Sequence, residues 1–170
     1  EKSSLESLSF TTLDEDIDPT YCEASGDGTN NSGQFEKIDN VSFNTINNSS
    51  TSNGGYQDFT SISTSVQKGL NYPITISSPQ VSFEDNQVKV WIDFNQDFDF
   101  EDAGEEVFVS PTGVSPWSGN ILIPQSASVG ETTMRIRLHD TQFGPNGSPC
   151  GSSDYGEVED YSVNISNGSV

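Results

Sequence analysis

Oxygen-bearing side chains occur at every second position in part of the segment from Trp91 to Glu105. These residues are Asp93, Asn95, Asp97 and Asp99, and Glu105 follows 12 positions after Asp93. A tight loop turns alternate side chains inward, so this spacing can place several oxygens around one hard cation at about 2.4 Å. The spacing therefore predicts a Ca²⁺ site made by these five residues. The alternative is a solvated acidic loop, in which the carboxylates would repel one another.

The same segment differs from an EF-hand in two respects. Phe98 stands where the sharp turn of an EF-hand loop needs glycine. The flanking residues alternate with the period of strands and not of helices. The pattern is therefore typical of a calcium loop carried by a β-scaffold.

A second acidic run extends from Gly156 to Tyr161, just before the last apolar alternation of the chain. Its acids and one distant aspartate are candidates for a second cation site, namely Asp58, Glu157, Glu159 and Asp160. The same carboxylates can instead cap loops or pair with Arg135 or Arg137, because an arginine on a buried or edge strand usually meets a carboxylate. Both interpretations stay open from the sequence.

The sequence offers no nucleophile and base for covalent catalysis. His139 is its one histidine, and its place on the polar face of a strand predicts a surface side chain. The motifs H-E-x-x-H and G-x-S-x-G and a glycine-rich phosphate loop are absent from the sequence. Paired carboxylates can serve a glycosidase, but so dense a cluster is poorly suited to keeping one acid protonated. We therefore expect a protein that is not an enzyme.

Aromatic side chains in or near predicted loops are candidate platforms for stacking sugar rings. They are Trp117, Tyr56, Tyr72, Phe143 and Tyr155. Trp117 is the first candidate because turn-forming residues surround it in Ser115-Pro116-Trp117-Ser118-Gly119. The alternative role for Trp117 is packing within its loop.

Apolar residues alternate with period two along most of the chain. Clear examples cover residues 70–76, 88–94, 134–138 and 161–165, and shorter ones cover 35–43, 59–66, 107–109 and 120–123. No window has the pattern of a long amphipathic helix. About eight or nine short strands separated by turn residues predict an all-β fold, an antiparallel β-sandwich of the jelly-roll or immunoglobulin-like kind.

The charge balance excludes several classes of partner. The 170 residues contain 26 acidic and 6 basic side chains, for a formal net charge of -20. Such a field repels phosphate backbones, so we expect no nucleic-acid partner. No apolar run reaches the roughly 20 residues of a membrane span, so we expect no membrane insertion. The same field favours a neutral polysaccharide over an acidic one as ligand.

Cys22 and Cys150 are the two cysteines, and their spacing fits neither a zinc site nor a redox pair. A disulfide is the economical prediction, and two buried free thiols are the alternative. Closing so long a loop would stabilise the fold by roughly 4 kcal/mol.

We expect an acidic linker or N-terminal extension at residues 1–19, with one strand near Leu8–Leu13, a single domain at 20–166 and a tail at 167–170.

Several short blocks of residues together resemble one family. In chain order they are Tyr21-Cys22, Gly55-Tyr56-Gln57-Asp58-Phe59-Thr60, Trp91 to Asp99 with Gly104-Glu105, Ile123-Pro124, Met134-Arg135-Ile136-Arg137, Cys150 and Gly156 to Asp160. On these residues the chain resembles the GEVED domain family over about residues 20–166. The resemblance implies a secreted β-sandwich module appended to proteases, adhesins and other surface proteins, chiefly of Bacteroidota-like bacteria. The family's loop commonly reads Asp-Gly-Asp where this chain has Asp97-Phe98-Asp99.

These observations together predict a monomeric, calcium-stabilised accessory module of a secreted multidomain protein. We expect it to be extracellular, at the bacterial cell surface, and to bind extracellular polysaccharide. One alternative is a module that binds an extracellular protein, such as collagen or another matrix component, for a secreted protease. The other alternative is a structural spacer or adhesion domain.

Overall fold

The computed structural model describes residues 20–26, 36–51, 55–79 and 83–168. The predicted linker at 1–19, with its strand near Leu8–Leu13, lies outside these residues, as does the end of the tail. Eleven strands and no helix occur in the described ranges, so nothing there could cross a membrane as a helix. In chain order the strands are β1 (Ala24–Gly26), β2 (Asn40–Phe43), β3 (Ile46–Ser49), β4 (Gly55–Gln67), β5 (Asn71–Ser77), β6 (Asn86–Ile92), β7 (Glu106–Val109), β8 (Trp117–Leu122), β9 (Gly130–Asp140), β10 (Gly151–Ser153) and β11 (Gly156–Ser166).

Two sheets form the body of the fold and confirm the predicted all-β, sandwich-like class. The larger sheet has the order β4-β11-β9-β6-β7, and the smaller has the order β3-β2-β5-β8. Most neighbours are antiparallel, as predicted, and the exception within these two sheets is β4, which runs parallel to β11. The strands β1 and β3 were not predicted, because they are short and lie in Gly-, Asn- and Ser-rich stretches.

A single apolar core lies between the two sheets. Successive residues of a strand point to opposite faces, so the alternation seen in the sequence supplies one apolar face for each strand. Val88, Val90 and Ile92 of β6 are fully buried, as are Ile136 and Leu138 of the adjacent β9. The smaller sheet contributes Val41, Phe43, Ile74, Ile76 and Ile121 to the same core.

The outer face of the larger sheet is also covered. A parallel pair of short strands, β1 and β10, lies over it, and the Cys22–Cys150 disulfide joins the two covering segments with a Cα–Cα distance of 5.6 Å. The predicted disulfide is thereby confirmed. Beneath this cover lie the side chains of β9 that alternate with its core residues. They are Arg135, Arg137 and His139, and all three are nearly fully buried. The expectation of a surface histidine was therefore wrong.

Candidate functional site

The acidic loop, residues 93–105, joins β6 to β7 and is organised around a buried carboxylate. Asp93 Oδ1 accepts a hydrogen bond from the Gln96 amide at 2.6 Å. Asp93 Oδ2 accepts one from the Phe98 amide at 3.1 Å and one from the Tyr21 hydroxyl at 2.7 Å. Gln96 and Phe98 both have positive φ angles, of 66° and 70°. The sharp turn that glycine would favour is thus made by Phe98 itself.

Three exposed carboxylates of this loop lie close together. Asp97, Asp99 and Asp102 each place one oxygen within 4.8 Å of the other two. The side-chain Nδ2 of Asn95 donates to Asp97 Oδ2 at 2.8 Å and to Asp102 Oδ2 at 2.6 Å. Like charges at such distances repel, and a hard cation with oxygen ligands would relieve that repulsion. Asp102 was missed by the sequence analysis because it falls outside the period-two spacing.

Glu105 places a buried oxygen without a partner in the same loop. Its Oε1 accepts a hydrogen bond from the Phe94 amide at 2.7 Å, whereas Oε2 is buried and has no partner among the described residues. Burial raises the pKa of Glu105, and the charges of Asp93 and Asp102 raise it further. A bound cation would stabilise the ionised form, so the donor set of this loop fits calcium.

Of the five predicted calcium ligands, only Asp97 and Asp99 belong to the group of exposed carboxylates. The structure brings Asp97 and Asp99 together with Asp102. Asn95 bridges that cluster, and Asp93 and Glu105 accept backbone hydrogen bonds within the loop.

The predicted second cation cluster is divided by the sheet, and as a single site it was wrong. Alternate residues of β11 point to opposite faces, so Glu157 and Glu159 lie on the core side and are fully buried. Glu157 Oε2 accepts a hydrogen bond from the Ile38 amide at 2.7 Å. Asp160 points to the outer face, where it pairs with Arg135 beside Asp58.

Glu159 belongs to a hydrogen-bonded connection between the two sheets. Its Oε2 accepts from the Tyr161 hydroxyl at 2.7 Å, and that hydroxyl accepts from the side-chain Nδ2 of Asn48 in β3 at 2.9 Å. Burial, followed by the nearby charge of Glu157, raises the pKa of Glu159 to about 8. The acids on the core side of the motif thus contact other parts of the sandwich, Glu157 at Ile38 and Glu159 through Tyr161.

A groove, which we call the disulfide groove, lies between residues 20–25 and the outer face of the larger sheet. It has a volume of about 720 Å³, and its lining includes Tyr21, Tyr56, Asp58, Arg135 and Asp160. Arg135 binds Asp160 through two bonds, Nε to Oδ1 at 2.8 Å and Nη2 to Oδ2 at 2.7 Å. The Tyr56 hydroxyl donates to Asp160 Oδ2 at 2.9 Å, while Tyr56 remains 41% exposed. The groove thus combines an accessible aromatic ring with fixed polar groups.

The other predicted aromatic platforms are distributed between the core and a second cavity. Trp117 opens β8 opposite Ile76 and is buried in the core with only 4% exposure, so its selection as the first sugar platform was wrong. Tyr72 packs edge-on against Phe43 and accepts a hydrogen bond from the Gln67 amide. Phe143 and Tyr155 line the second cavity, of about 480 Å³.

The sequence profile of the GEVED domain matches residues 87–164. The matched range begins in β6 and ends in β11, and it contains the acidic loop, Arg135 and the 156–160 motif. No curated protein matches the chain.

Proposed function

We propose that this chain, which belongs to the GEVED domain family over residues 87–164, is a non-catalytic accessory module that attaches a secreted multidomain protein to extracellular polysaccharide. Calcium would fix its acidic loop. The observation that carries the proposal is the disulfide groove, which presents the half-exposed Tyr56 beside an immobilised carboxylate. The disulfide fits an extracytoplasmic location, since such bonds persist in oxidising compartments.

The chemistry of the groove suits an uncharged sugar. An aromatic ring offers a flat apolar face to the C–H groups of a pyranose, and carboxylates accept hydrogen bonds from its hydroxyl groups. The exposed acceptor is Asp58, which the Thr60 amide and hydroxyl hold in place. Asp160, which is almost completely buried, binds Arg135 and holds the Tyr56 hydroxyl. Because these groups are ordered before binding, little side-chain entropy is lost when a ligand is bound.

Calcium would act on the groove through Tyr21. Asp97, Asp99 and Asp102 would supply the exposed carboxylates of the metal site, with Glu105 and Asp93 behind them. The ring of Tyr21, which lines the groove, stacks on Phe100 at 4.8 Å and packs against Phe98 at 5.5 Å. A cation that holds the acidic loop would therefore also hold one wall of the groove.

The test is retention of the purified domain on insoluble polysaccharides, with insoluble collagen alongside, in millimolar Ca²⁺ and then in chelator. Tyr56→Ala removes the exposed ring, and Phe143→Ala removes a more exposed ring, at 62% against 41%, that lies outside the groove. We expect retention on a glycan that is reduced by chelator and by Tyr56→Ala but not by Phe143→Ala.

Other outcomes would contradict the proposal. Retention on collagen alone would indicate a protein-targeting module. Retention on neither material would indicate a spacer. Equal losses in the two aromatic variants would remove the assignment of the disulfide groove.

A further inference from the structure

We propose that the second cavity binds an organic cation with an apolar stem, the side chain of a lysine or arginine on a partner polypeptide. This cavity, which we call the acidic-aromatic cavity, is lined by Glu36, Phe83, Glu84, Asp85, Asp140, Phe143 and Tyr155. It shares no lining residue with the disulfide groove. The inference is therefore independent of the proposed polysaccharide function.

The charge of the cavity calls for a cationic ligand. Four of its seven lining residues are acidic and none is basic. Glu36 is only 5% exposed, and its Oε2 has no partner within the described part of the chain. Burial and the charge of Asp140 raise the pKa of Glu36 to about 7. A buried carboxyl oxygen without a partner is costly, and a positively charged donor would satisfy it.

The spacing of the carboxylates favours a large cation over a metal ion. Among the described residues, the one group of three or more potential ligands within 4.8 Å of one another is the group in the acidic loop. The acids of the cavity are therefore too widely spaced for three of them to bind one small ion. An alkylammonium or guanidinium group donates several hydrogen bonds in different directions and can reach separated acceptors.

Hydrogen bonds hold two of these carboxylates in place. Asp140 Oδ1 accepts from the amides of Gln142 and Phe143, at 2.6 and 2.8 Å. Asp85 Oδ1 accepts from the Gln142 side chain at 2.5 Å. The contacts of Asp140 also fix the backbone that carries Phe143, which lines the cavity.

Aromatic rings supply the second part of the recognition. Phe143 is 62% exposed, the largest exposed fraction among the large apolar side chains of the described residues. Phe83 and Tyr155 lie in the same cavity. Aromatic rings cover the methylene stem of a basic side chain and attract its charge through cation–π interaction. The volume of about 480 Å³ is ample for one such side chain.

The experiment is an NMR titration of the ¹⁵N-labelled chain with Nα-acetyl-lysine methylamide and, separately, Nα-acetyl-arginine methylamide. The uncharged control is Nα-acetyl-norleucine methylamide, and an amino-sugar arm uses glucosamine. We expect saturable shifts of the backbone amides of Asp85, Asp140, Phe143 and Tyr155 with at least one basic probe. A single side chain should bind with a Kd on the order of millimolar.

Two variants of the cavity and one matched control test the assignment. Glu36→Gln and Phe143→Ala should each weaken binding of the basic probe about threefold or more. Glu106→Gln removes an exposed charge elsewhere and should change the affinity little, because solvent and salt screen that charge.

Several results would overturn the proposal. They are equal shifts with norleucine, equal weakening by Glu36→Gln and Glu106→Gln, and no saturable shift with either basic probe. A response to glucosamine alone would indicate that the cavity binds an amino sugar, and it would likewise contradict a polypeptide partner. Tyr56 lies outside this cavity, so Tyr56→Ala should leave these titrations unchanged whatever its effect on glycan retention. Failure of one proposal can therefore be distinguished from failure of the other.

Discussion

Arg135 and Asp160 form a two-point ion pair beneath the disulfide, with Nε–Oδ1 and Nη2–Oδ2 distances of 2.8 and 2.7 Å. Both side chains are almost completely buried, at 3% and 4% exposure. Arg135 also donates to the carbonyls of Cys22 and Pro149. The pair therefore connects the 156–160 motif to both segments that cover the outer face.

Loss of one partner of this pair should be strongly destabilising. Asp160→Asn leaves a buried guanidinium without its counter-charge, and we expect unfolding free energy to fall by about 3–5 kcal/mol in urea denaturation. The control is Glu106→Gln, which breaks the more exposed pair with Lys89 and should cost less than about 1 kcal/mol. Equal effects of the two variants would contradict the structural role of Asp160.

Protonation of Glu159 should make the fold more stable in mild acid. Its pKa is about 8 in the folded protein, against an ordinary value of 4.5. The folded state therefore binds more protons between these pH values, and stability decreases as pH rises through that window. We expect Glu159→Gln to flatten the dependence of the melting temperature on pH between about 5 and 8. Parallel pH profiles of the variant and the parent would exclude Glu159 as the source.

The disulfide should contribute to stability without being part of the core. Reduction, or the double substitution Cys22→Ser with Cys150→Ser, should lower the unfolding free energy by roughly 4–5 kcal/mol, because the two cysteines are 128 residues apart in sequence. Urea denaturation with and without reductant measures this loss. The double variant should not respond to reductant, and a further loss there would point to a different effect of the reagent.

Asp102 should take part in any calcium response. If the metal binds at Asp97, Asp99 and Asp102, Asp102→Asn removes one ligand charge, and the rise in melting temperature with Ca²⁺ should shrink or disappear. Glu101→Gln is the matched control, since Glu101 is exposed in the same loop but outside the cluster. Equal responses of both variants and the parent would contradict the assignment of Asp102.

Gly156 should be intolerant of a side chain for two reasons. Its φ angle is 111°, and a Cβ there would collide with the carbonyl group of Leu138 in β9. Gly104 is a matched control because its φ of 102° is similar, but a Cβ would meet nothing within 4 Å. We expect Gly104→Ala to cost about 1–3 kcal/mol from strain alone, and Gly156→Ala to cost clearly more in urea denaturation. Equal losses would show that backbone strain, and not the contact with β9, decides the residue.

Much of the fold could be predicted because a strand with one buried face shows alternating apolar residues in the sequence. The alternation at Val88, Val90 and Ile92 identifies both a strand and the face it buries. The short strand β1 could not be predicted in this way because it forms by pairing with β10, which lies far along the chain. The strand β3 pairs with the adjacent β2, but it is only four residues long and mostly polar, so it shows no apolar alternation. The parallel pairing of β4 with β11 could not be predicted from the sequence either, because it joins segments about a hundred residues apart.

The candidate sites were predicted less completely, for a related reason. Period-two spacing identified Asp97 and Asp99, but the turn of the loop brings in Asp102. Turn residues around Trp117 indicated a loop, whereas pairing with Ile76 directs the ring into the core. Each of the two cavities brings together residues from several separate parts of the chain, so no local motif could have indicated them.

The sequence by itself determined the all-β class, the acidic loop and the cysteine pair, because alternation, charge spacing and composition are local properties. The tertiary structure decided which polar residues are buried. Glu157 and Glu159 face the core and Asp160 the outer side, as alternation along a strand requires. Whether each face is covered depends on chain segments distant in sequence. The outer face carrying Arg135 and Arg137 is buried because residues 20–26 and β10 pack over it.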